Sequence, residues 1–254
     1  MFLIKKDILN YFKRANIKKN DTVFFHGNSM ALFQVKGEDA VAKTNIFWNT
    51  LIQFLDKDGT IILPTFTYSL GRNKIYNRTR SKSNVGQFSE DFRKYFSETR
   101  SMDPIFSVCA YGNKKDDVSK VKYKNSFGKG SIFDFIHKKN VKIICLGCEL
   151  EVVTFLHYIE QVLKVPYRNF KDFKTYYIIQ DKKLSQQSVK FYCRLDGSKF
   201  KYSLDSLKKE MLKKKKLTVT RFGRVKSYSF NAKDFFDIGY KMLKKNNKEF
   251  INEV

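Results

Sequence analysis

The chain has 254 residues, of which 42% are hydrophobic, including 25 Phe and 14 Tyr. This composition allows a sizeable core and excludes intrinsic disorder for the chain as a whole. Its 50 Lys and Arg residues outnumber its 25 Asp and Glu residues, which gives a formal net charge of +25, so we expect anionic partners. The lysines are spread along the chain without a nucleic-acid-reading motif, which favours a solvated lysine surface over a nucleic-acid partner.

No apolar run reaches the roughly 18 to 20 residues that a membrane-spanning helix needs, and the N-terminus has no continuous hydrophobic segment. We therefore predict a cytoplasmic protein without membrane insertion; a homo-oligomer stays open. The cysteines are Cys109, Cys145, Cys148 and Cys193, and no second Cys/His pair is spaced to complete a zinc site. Buried reduced thiols are expected rather than a metal or redox site, and no metal is predicted.

The first third of the chain alternates helical and strand patterns. It predicts a helix over 1–19, a strand over 22–26, a helix over 38–55 and a strand over 60–64. The two strands and the second helix make a βαβ unit, so we expect the two strands to pair parallel in one sheet. Because ligands bind beyond the carboxyl ends of such strands, we expect the loops 26–29 and 64–67 to face one crevice.

The middle of the chain continues this alternation after a long polar loop over 70–84, whose length suggests a functional or mobile segment. Further predicted elements are a helix over 90–96, strands over 107–111 and 141–147, and a helix over 152–163.

From about residue 170 the pattern changes to alternating aromatic and polar residues with Asp-Lys-Lys and Asp-Gly turns, which predicts antiparallel hairpins. A helix over 231–250 follows. The predicted fold is α/β, a mixed and largely parallel sheet flanked by helices, with a smaller antiparallel β-rich C-terminal region. We place an α/β domain at 1–168 and the β-rich region, whose last helix packs back on the first domain, at 169–254.

The predicted helix over 152–163 carries the pattern that points most directly to chemistry. On a helical wheel Thr154, His157, Glu160 and Gln161 share one arc, opposite Val152 and other apolar residues. A Glu three residues after a His can orient it, and an imidazole is suited to removing a proton from a nucleophile. The spacing alone is equally that of a solvated His and Glu on a surface helix, or of a metal-binding pair.

Other residue groups accompany this pattern in a fixed order. They are Asp21 to Ser29 (DTVFFHGNS), Gly59 to Thr67 (GTIILPTFT), Gly86 with Glu90 and Arg93, Arg100-Ser101 with Pro104 and Ser107, Gly128 with Ser131, and Leu146-Gly147 with Thr154, His157 and Glu160. In this order they resemble the aminoglycoside 3-N-acetyltransferase family. The resemblance covers residues 1 to 165 and the terminal region 221–250, whereas 170–220 matches poorly.

The resemblance implies direct transfer of an acyl group from acyl-CoA, such as acetyl-CoA, to an amine, with no covalent enzyme intermediate. It makes 1–168 the acyl-CoA-binding and catalytic domain. It assigns His157 as the base and Glu160 as its catalytic partner. The coenzyme-binding residues that it implies are His26, Ser29, Thr65, Phe66, Thr67 and Ser107. Thr154 and Asp103 are the implied acceptor-binding residues.

The chain departs from the family pattern at two places. It has His26-Gly27-Asn28-Ser29 where the family usually has His-Ser-Ser, and Asp103 where the family has a histidine before the proline. Asp103 is expected either to contact the substrate or to cap the turn before Pro104.

The charge of the chain bears on the acceptor. Because a net charge of +25 repels polycations, we predict a nucleotide-linked amino sugar, which is anionic, as the acceptor. The alternative is an aminoglycoside 3-N-acetyltransferase that confers antibiotic resistance. A second alternative is a non-catalytic binding protein.

Overall fold

The computed structural model describes residues 2–68, 75–180 and 183–253. Its helices are α1 (Lys5–Arg14), α2 (Ala40–Leu55), α3 (Gln87–Tyr95), α4 (Lys115–Ser119), α5 (Ile132–Lys138), α6 (Leu156–Leu163), α7 (Asp205–Lys213) and α8 (Ala232–Lys245). Its strands are β1 (Thr22–Gly27), β2 (Thr60–Pro64), β3 (Ile75–Asn77), β4 (Thr99–Arg100), β5 (Val108–Gly112), β6 (Lys142–Leu146), β7 (Arg168–Gln180), β8 (Lys183–Arg194), β9 (Phe200–Tyr202), β10 (Thr218–Phe222), β11 (Val225–Asn231) and β12 (Ile251–Glu253). Short 3-10 helices lie at Ser29–Gln34 and Leu150–Val152.

A seven-stranded sheet forms the centre of the fold, in the order β10-β11-β6-β1-β2-β5-β4. β1 runs parallel to both of its neighbours, β6 and β2. The outer strands pair antiparallel, β11 with β6 on one side and β5 with β2 on the other. The predicted mixed α/β fold is therefore confirmed, with its parallel pairing at the centre of the sheet.

Both faces of this sheet are covered, as the side chains of β1 illustrate. Val23 and Phe25 belong to one apolar cluster, together with Trp48 of α2. Phe24, which lies between them in the strand, belongs to the opposite cluster, together with Ile136 of α5. Successive side chains of a strand point to opposite faces, so a strand buried on both faces reads as a continuous apolar run. That run is what made the central strands predictable.

The predicted strands over 22–26, 60–64, 107–111 and 141–147 are confirmed as β1, β2, β5 and β6, and the helices over 38–55, 90–96 and 231–250 as α2, α3 and α8, with small shifts at their ends. The first helix is shorter than the predicted 1–19. It ends at Arg14 because the backbone turns into the left-handed region at Asn16, with φ of 54°. The helix predicted from residue 152 begins only at Leu156.

The region after residue 168 contributes to several sheets. β7 and β8 form the expected antiparallel hairpin, and β3 adds to it as a third strand. β9, which was expected to continue the hairpins after the Asp-Gly turn, pairs with β12 instead. β10 and β11 extend the central sheet through β6. The division of the chain at residue 168 stays a prediction.

Residues 70–74 of the polar loop predicted over 70–84 lie outside the described residues, as do the first two residues, 181–182, of the predicted Asp-Lys-Lys turn. The rest of that loop contains β3. Within the described ranges, no helix is long and apolar enough to cross a membrane.

Candidate active site

A cavity of about 390 Å³ opens at the carboxyl ends of β1 and β2. The loops after these strands lie on its wall, as the open-sheet rule predicted. Its lining residues are His26, Gly27, Pro64, Phe66, Tyr68, Val85, Ser89, Cys148, Glu151, Val152, Thr154 and His157.

His157 and Glu160 lie on the first turns of α6, one above the other. The Nδ1 atom of His157 lies 2.6 Å from Oε2 of Glu160. The imidazole is 21% exposed and reaches the cavity, whereas the carboxylate is completely buried behind it. The spacing of three residues therefore produces the predicted pair, and a surface helix with a solvated Glu is excluded.

The two arcs of the helical wheel do not separate exposed residues from buried ones. Glu160 is fully buried, while Val152 and Val162, which were placed on the apolar arc, are 45% and 47% exposed. The reason is that Arg168 and Tyr202, from the following strands β7 and β9, cover the carboxylate. Residues before Leu156 are also outside the helix, so the wheel does not apply to them.

Glu160 accepts hydrogen bonds on both of its oxygens from residues that sequence reasoning missed. Oε2 lies 2.8 Å from Nε of Arg168, and Oε1 accepts the hydroxyls of Tyr167, at 2.9 Å, and Tyr202, at 2.8 Å. These residues lie 7 to 42 positions after the glutamate. No sequence pattern identifies an Arg or a Tyr at such separations as a partner of Glu160. Their positions depend on tertiary packing alone.

The electrostatics of this cluster favour a neutral imidazole. Burial lowers the pKa of His157, and the nearby Arg168 guanidinium lowers it further, against the opposing effect of Glu160. Burial alone would raise the pKa of Glu160, but His157, Arg168 and Tyr202 hold it below its ordinary value. With a neutral ring and an ionised carboxylate, Nδ1–H donates to Glu160 and Nε2 carries the lone pair of a base.

His26 lines the same cavity from the end of β1. It is 6% exposed, and burial lowers its pKa to about 3, so its imidazole is neutral at physiological pH. Its Nε2 atom has no hydrogen-bond partner among the described residues. Because a buried polar atom is normally paired, this nitrogen is a candidate contact for a ligand.

The hydroxyls of three predicted coenzyme-binding residues serve the protein's own backbone. Ser107 donates to the carbonyl of Thr65 at 2.8 Å, Thr65 donates to the carbonyl of Ser107 at 3.2 Å, and Thr67 donates to the carbonyl of Pro104. All three side chains are buried and lie outside the cavity lining. They brace the loop after β2, so any contact of theirs with a coenzyme stays a prediction.

The remaining predicted residues divide between the wall and its surroundings. Phe66 and Thr154 line the cavity, whereas Ser29 begins the 3-10 helix after β1. Asp103 is buried outside the lining and accepts the backbone N–H groups of Ile105 and Phe106, at 2.8 and 3.0 Å. This geometry corresponds to the turn cap that was one of its two expected roles. Burial raises the pKa of Asp103 to about 6.

The four cysteines are free, and in the described part of the chain no cluster of His, Cys, Asp and Glu is arranged to hold a metal ion. Cys109 and Cys145 are buried, as expected. Cys148 and Cys193 are half-buried, and Cys148 lines the cavity.

The sequence and the fold of the chain are similar to those of known proteins. The family model for aminoglycoside 3-N-acetyltransferases matches residues 25–244. Among curated proteins, the chain is 25% identical over 188 residues to the SPbeta prophage-derived aminoglycoside N(3')-acetyltransferase-like protein YokD of Bacillus subtilis (strain 168). The aligned stretch covers 65% of this chain and 66% of that protein, just under two thirds of it.

Solved structures share the fold. The crystal structure of YokD is 19% identical, with a TM-score of 0.81 over 98% of this chain and 96% of that one. AAC-IIIb in a binary complex with CoASH is 16% identical, with a TM-score of 0.80 over 96% and 97%. AAC-VIa bound to sisomicin is 17% identical, with a TM-score of 0.79 over 96% and 99%. With a family model matched over most of its length, the chain belongs to the aminoglycoside 3-N-acetyltransferase family of acyl-CoA-dependent acetyltransferases.

Proposed function

We propose that this chain transfers the acetyl group of acetyl-CoA to an amine of an aminoglycoside-like polycation, with His157 as the general base. The observation that carries the proposal is the neutral imidazole at the cavity wall, held through Nδ1 by a buried carboxylate 2.6 Å away. The base is thereby oriented with Nε2 free of a covalent proton, as proton abstraction requires.

The chemistry needs one proton acceptor near the acceptor amine. Acetyl-CoA supplies the acetyl group as an activated thioester. The ammonium first loses one proton to solvent, which frees the nitrogen lone pair. Nε2 of His157 takes a second proton from this nitrogen as the carbon–nitrogen bond forms and the carbon–sulfur bond breaks, which leaves a neutral amide. The imidazolium then returns its proton to the departing thiolate, and Glu160 stabilises the positive ring in the interval.

The cavity wall offers candidate contacts for the coenzyme. Phe66 and Pro64 are apolar, which suits the thin arm that carries the thioester, and the unpaired Nε2 of His26 is available to a polar group on it. Ser29, Thr65, Thr67 and Ser107 complete the coenzyme-binding set that the family resemblance implies.

The local charge of the cavity supports a cationic acceptor. Glu151 is the one Asp or Glu among the described residues that line it, and no Lys or Arg belongs to that described lining. This is the opposite of the whole chain, in which basic residues outnumber acidic ones by two to one. A carboxylate at the wall attracts an ammonium group, and it would repel the diphosphate of a nucleotide sugar.

A nucleotide-linked amino sugar is the second candidate acceptor, since the net charge of +25 attracts anions to the protein. YokD is an aminoglycoside N(3')-acetyltransferase-like protein, and AAC-VIa binds sisomicin. The similarity to these proteins favours the cationic acceptor.

The two acceptors are separated by a thiol-release assay with acetyl-CoA against kanamycin, gentamicin and UDP- and dTDP-linked amino sugars. We expect turnover on the aminoglycosides, with a KM that rises about tenfold in Glu151→Gln, the effect of roughly 1.4 kcal/mol of charge attraction. Glu249→Gln, a surface carboxylate outside the cavity, is the matched control. Turnover on the nucleotide sugars alone would contradict the cationic acceptor and support the anionic one.

A further inference from the structure

The centre of this site is a buried pair of opposite charges beside the imidazole. Glu160 is fully buried and Arg168 is 4% exposed, and their Nε–Oε2 distance is 2.8 Å. A buried carboxylate without a cation is costly, so the pair is needed to keep Glu160 ionised. Arg168 begins β7 and donates through Nη1 to the carbonyl of Tyr192 on β8, at 2.7 Å, which fixes the guanidinium in place.

The same guanidinium also contacts the imidazole. Its Nη2 atom lies 3.0 Å from Nδ1 and 3.3 Å from Nε2 of His157. Nη2 and Nε further contact the hydroxyl of Tyr202, at 2.8 and 3.1 Å, and that hydroxyl donates to Glu160. Arg168 therefore touches both members of the catalytic pair directly and the carboxylate again through Tyr202.

We propose that Arg168 is a positioning residue, whose charge neutralises Glu160 so that the carboxylate orients His157 without drawing a proton onto the imidazole. Without Arg168, the nearest cation that could compensate Glu160 is a protonated His157. The base would then be occupied before the substrate arrives. The catalytic consequence rests on the proposed role of His157, whereas the effect on the imidazole does not.

The other charged groups near the imidazole act in both directions, since Arg194 also lowers the pKa of His157 whereas Glu160 raises it. Arg194 at the end of β8 is a second cation, and its effect on the pKa of His157 is smaller than that of Arg168. The remaining titratable neighbours, from α6, β9, β1 and the wall of the cavity, are Glu160, Tyr202, His26, Cys148, Glu151 and Tyr68. Burial raises the pKa of Tyr202 and of Tyr68, so both are uncharged at neutral pH.

The test is a histidine NMR titration, because the chain has only three histidines, His26, His137 and His157. In protein labelled with 15N-histidine, the wild-type spectrum at pH 7 should show a neutral His157 ring protonated on Nδ1, with His157→Asn identifying its signals. Arg168→Gln should raise the titration midpoint of His157 by about one pH unit or more, the size of shift that a neighbouring charge produces. Arg168→Lys, which keeps the charge, should leave the midpoint near the wild-type value while lowering turnover through loss of the planar fork.

Arg194→Gln is the matched control, since it removes a cation that also lowers the pKa of His157 but donates to the carbonyl of Phe200 rather than to Glu160, and its shift should be smaller. Unchanged signals of His26 and His137 report that a variant is folded. An imidazolium at pH 7 in the wild type would overturn the proposal, and so would a midpoint in Arg168→Gln equal to or below the wild-type value.

Activity separates this inference from the proposed function. If turnover occurs, the acid limb of kcat/KM should move with the NMR midpoint in Arg168→Gln, which a purely structural defect would not produce. If His157→Asn retains full turnover, the base is wrong, while the titration still decides what Arg168 does to the imidazole.

Discussion

The site contains two imidazoles, which the protein keeps neutral in different ways. His26 is buried without a charged partner, and burial alone lowers its pKa. His157 is held between a carboxylate and a guanidinium whose effects on its pKa oppose each other. The first arrangement excludes protonation over the whole working range. The second leaves a base that can accept a proton once a substrate supplies it.

The burial of His26 makes the stability of the protein depend on pH. Its pKa is about 3 in the folded protein and 6.5 as an ordinary value, so between these limits the unfolded state binds more protons. The unfolding free energy therefore falls as the pH drops below 6.5, by about 2 kcal/mol from this group between pH 7 and pH 5. In His26→Gln this contribution is absent, and urea unfolding of both proteins at pH 7 and pH 5 should show the smaller loss in the variant. Equal losses would contradict a neutral, buried His26.

At the scale of elements, the family motifs around residues 86–107 brace one segment. Arg100 of β4 is buried and donates to the carbonyls of Thr65 and Ser81 and to the hydroxyl of Ser107. Arg93 of α3 donates two hydrogen bonds to Glu90 and one to the carbonyl of Thr79. These side chains tie the segment before α3 to the loop that forms the cavity wall.

Removing the buried guanidinium of β4 should loosen this segment. Arg100→Met removes the guanidinium donor from the carbonyl of Ser81 and one of two donors from the carbonyl of Thr65, which keeps its hydrogen bond from Ser107. We expect a loss of about 3 kcal/mol in the free energy of unfolding, the cost of losing several hydrogen bonds from a buried charged group. The measurement is urea unfolding followed by circular dichroism. Arg224→Met, at an exposed arginine, serves as the control and should change stability by less than about 0.5 kcal/mol. A loss in Arg100→Met no larger than in the control would show that the brace does not stabilise the fold.

The elements that sequence could predict are those with a local signal. β1, β2 and β6 are short apolar runs bounded by turns, and α6 was recognised together with its His157–Glu160 spacing. The partners of strands depend on distant contacts, so the pairing of β11 with β6 and of β9 with β12 was not predictable. The burial of Glu160 was not predictable for the same reason, because the residues that cover it come from later strands.

At the scale of the whole molecule, the site is built from residues far apart in the sequence. The cavity is lined by residues up to His157, whereas the groups that hold Glu160 come from Tyr167, Arg168 and Tyr202. Of these three, Tyr202 lies in the region 170–220, which resembled the family poorly in sequence, so that region contributes to the cluster around Glu160. The net charge of the whole chain is a poor guide to the charge of the site, since the described cavity wall carries one carboxylate and no Lys or Arg, against +25 for the chain.

The central claim is that His157 is the base in acetyl transfer from acetyl-CoA. The measurement that tests it most directly is thiol release by the wild type and by His157→Asn with the best aminoglycoside acceptor, alongside calorimetric binding of coenzyme A to both. We expect turnover to fall by roughly 10²-fold or more in His157→Asn, the range for general-base catalysis, while the affinity for coenzyme A stays nearly the same. Turnover in His157→Asn equal to that of the wild type would contradict it.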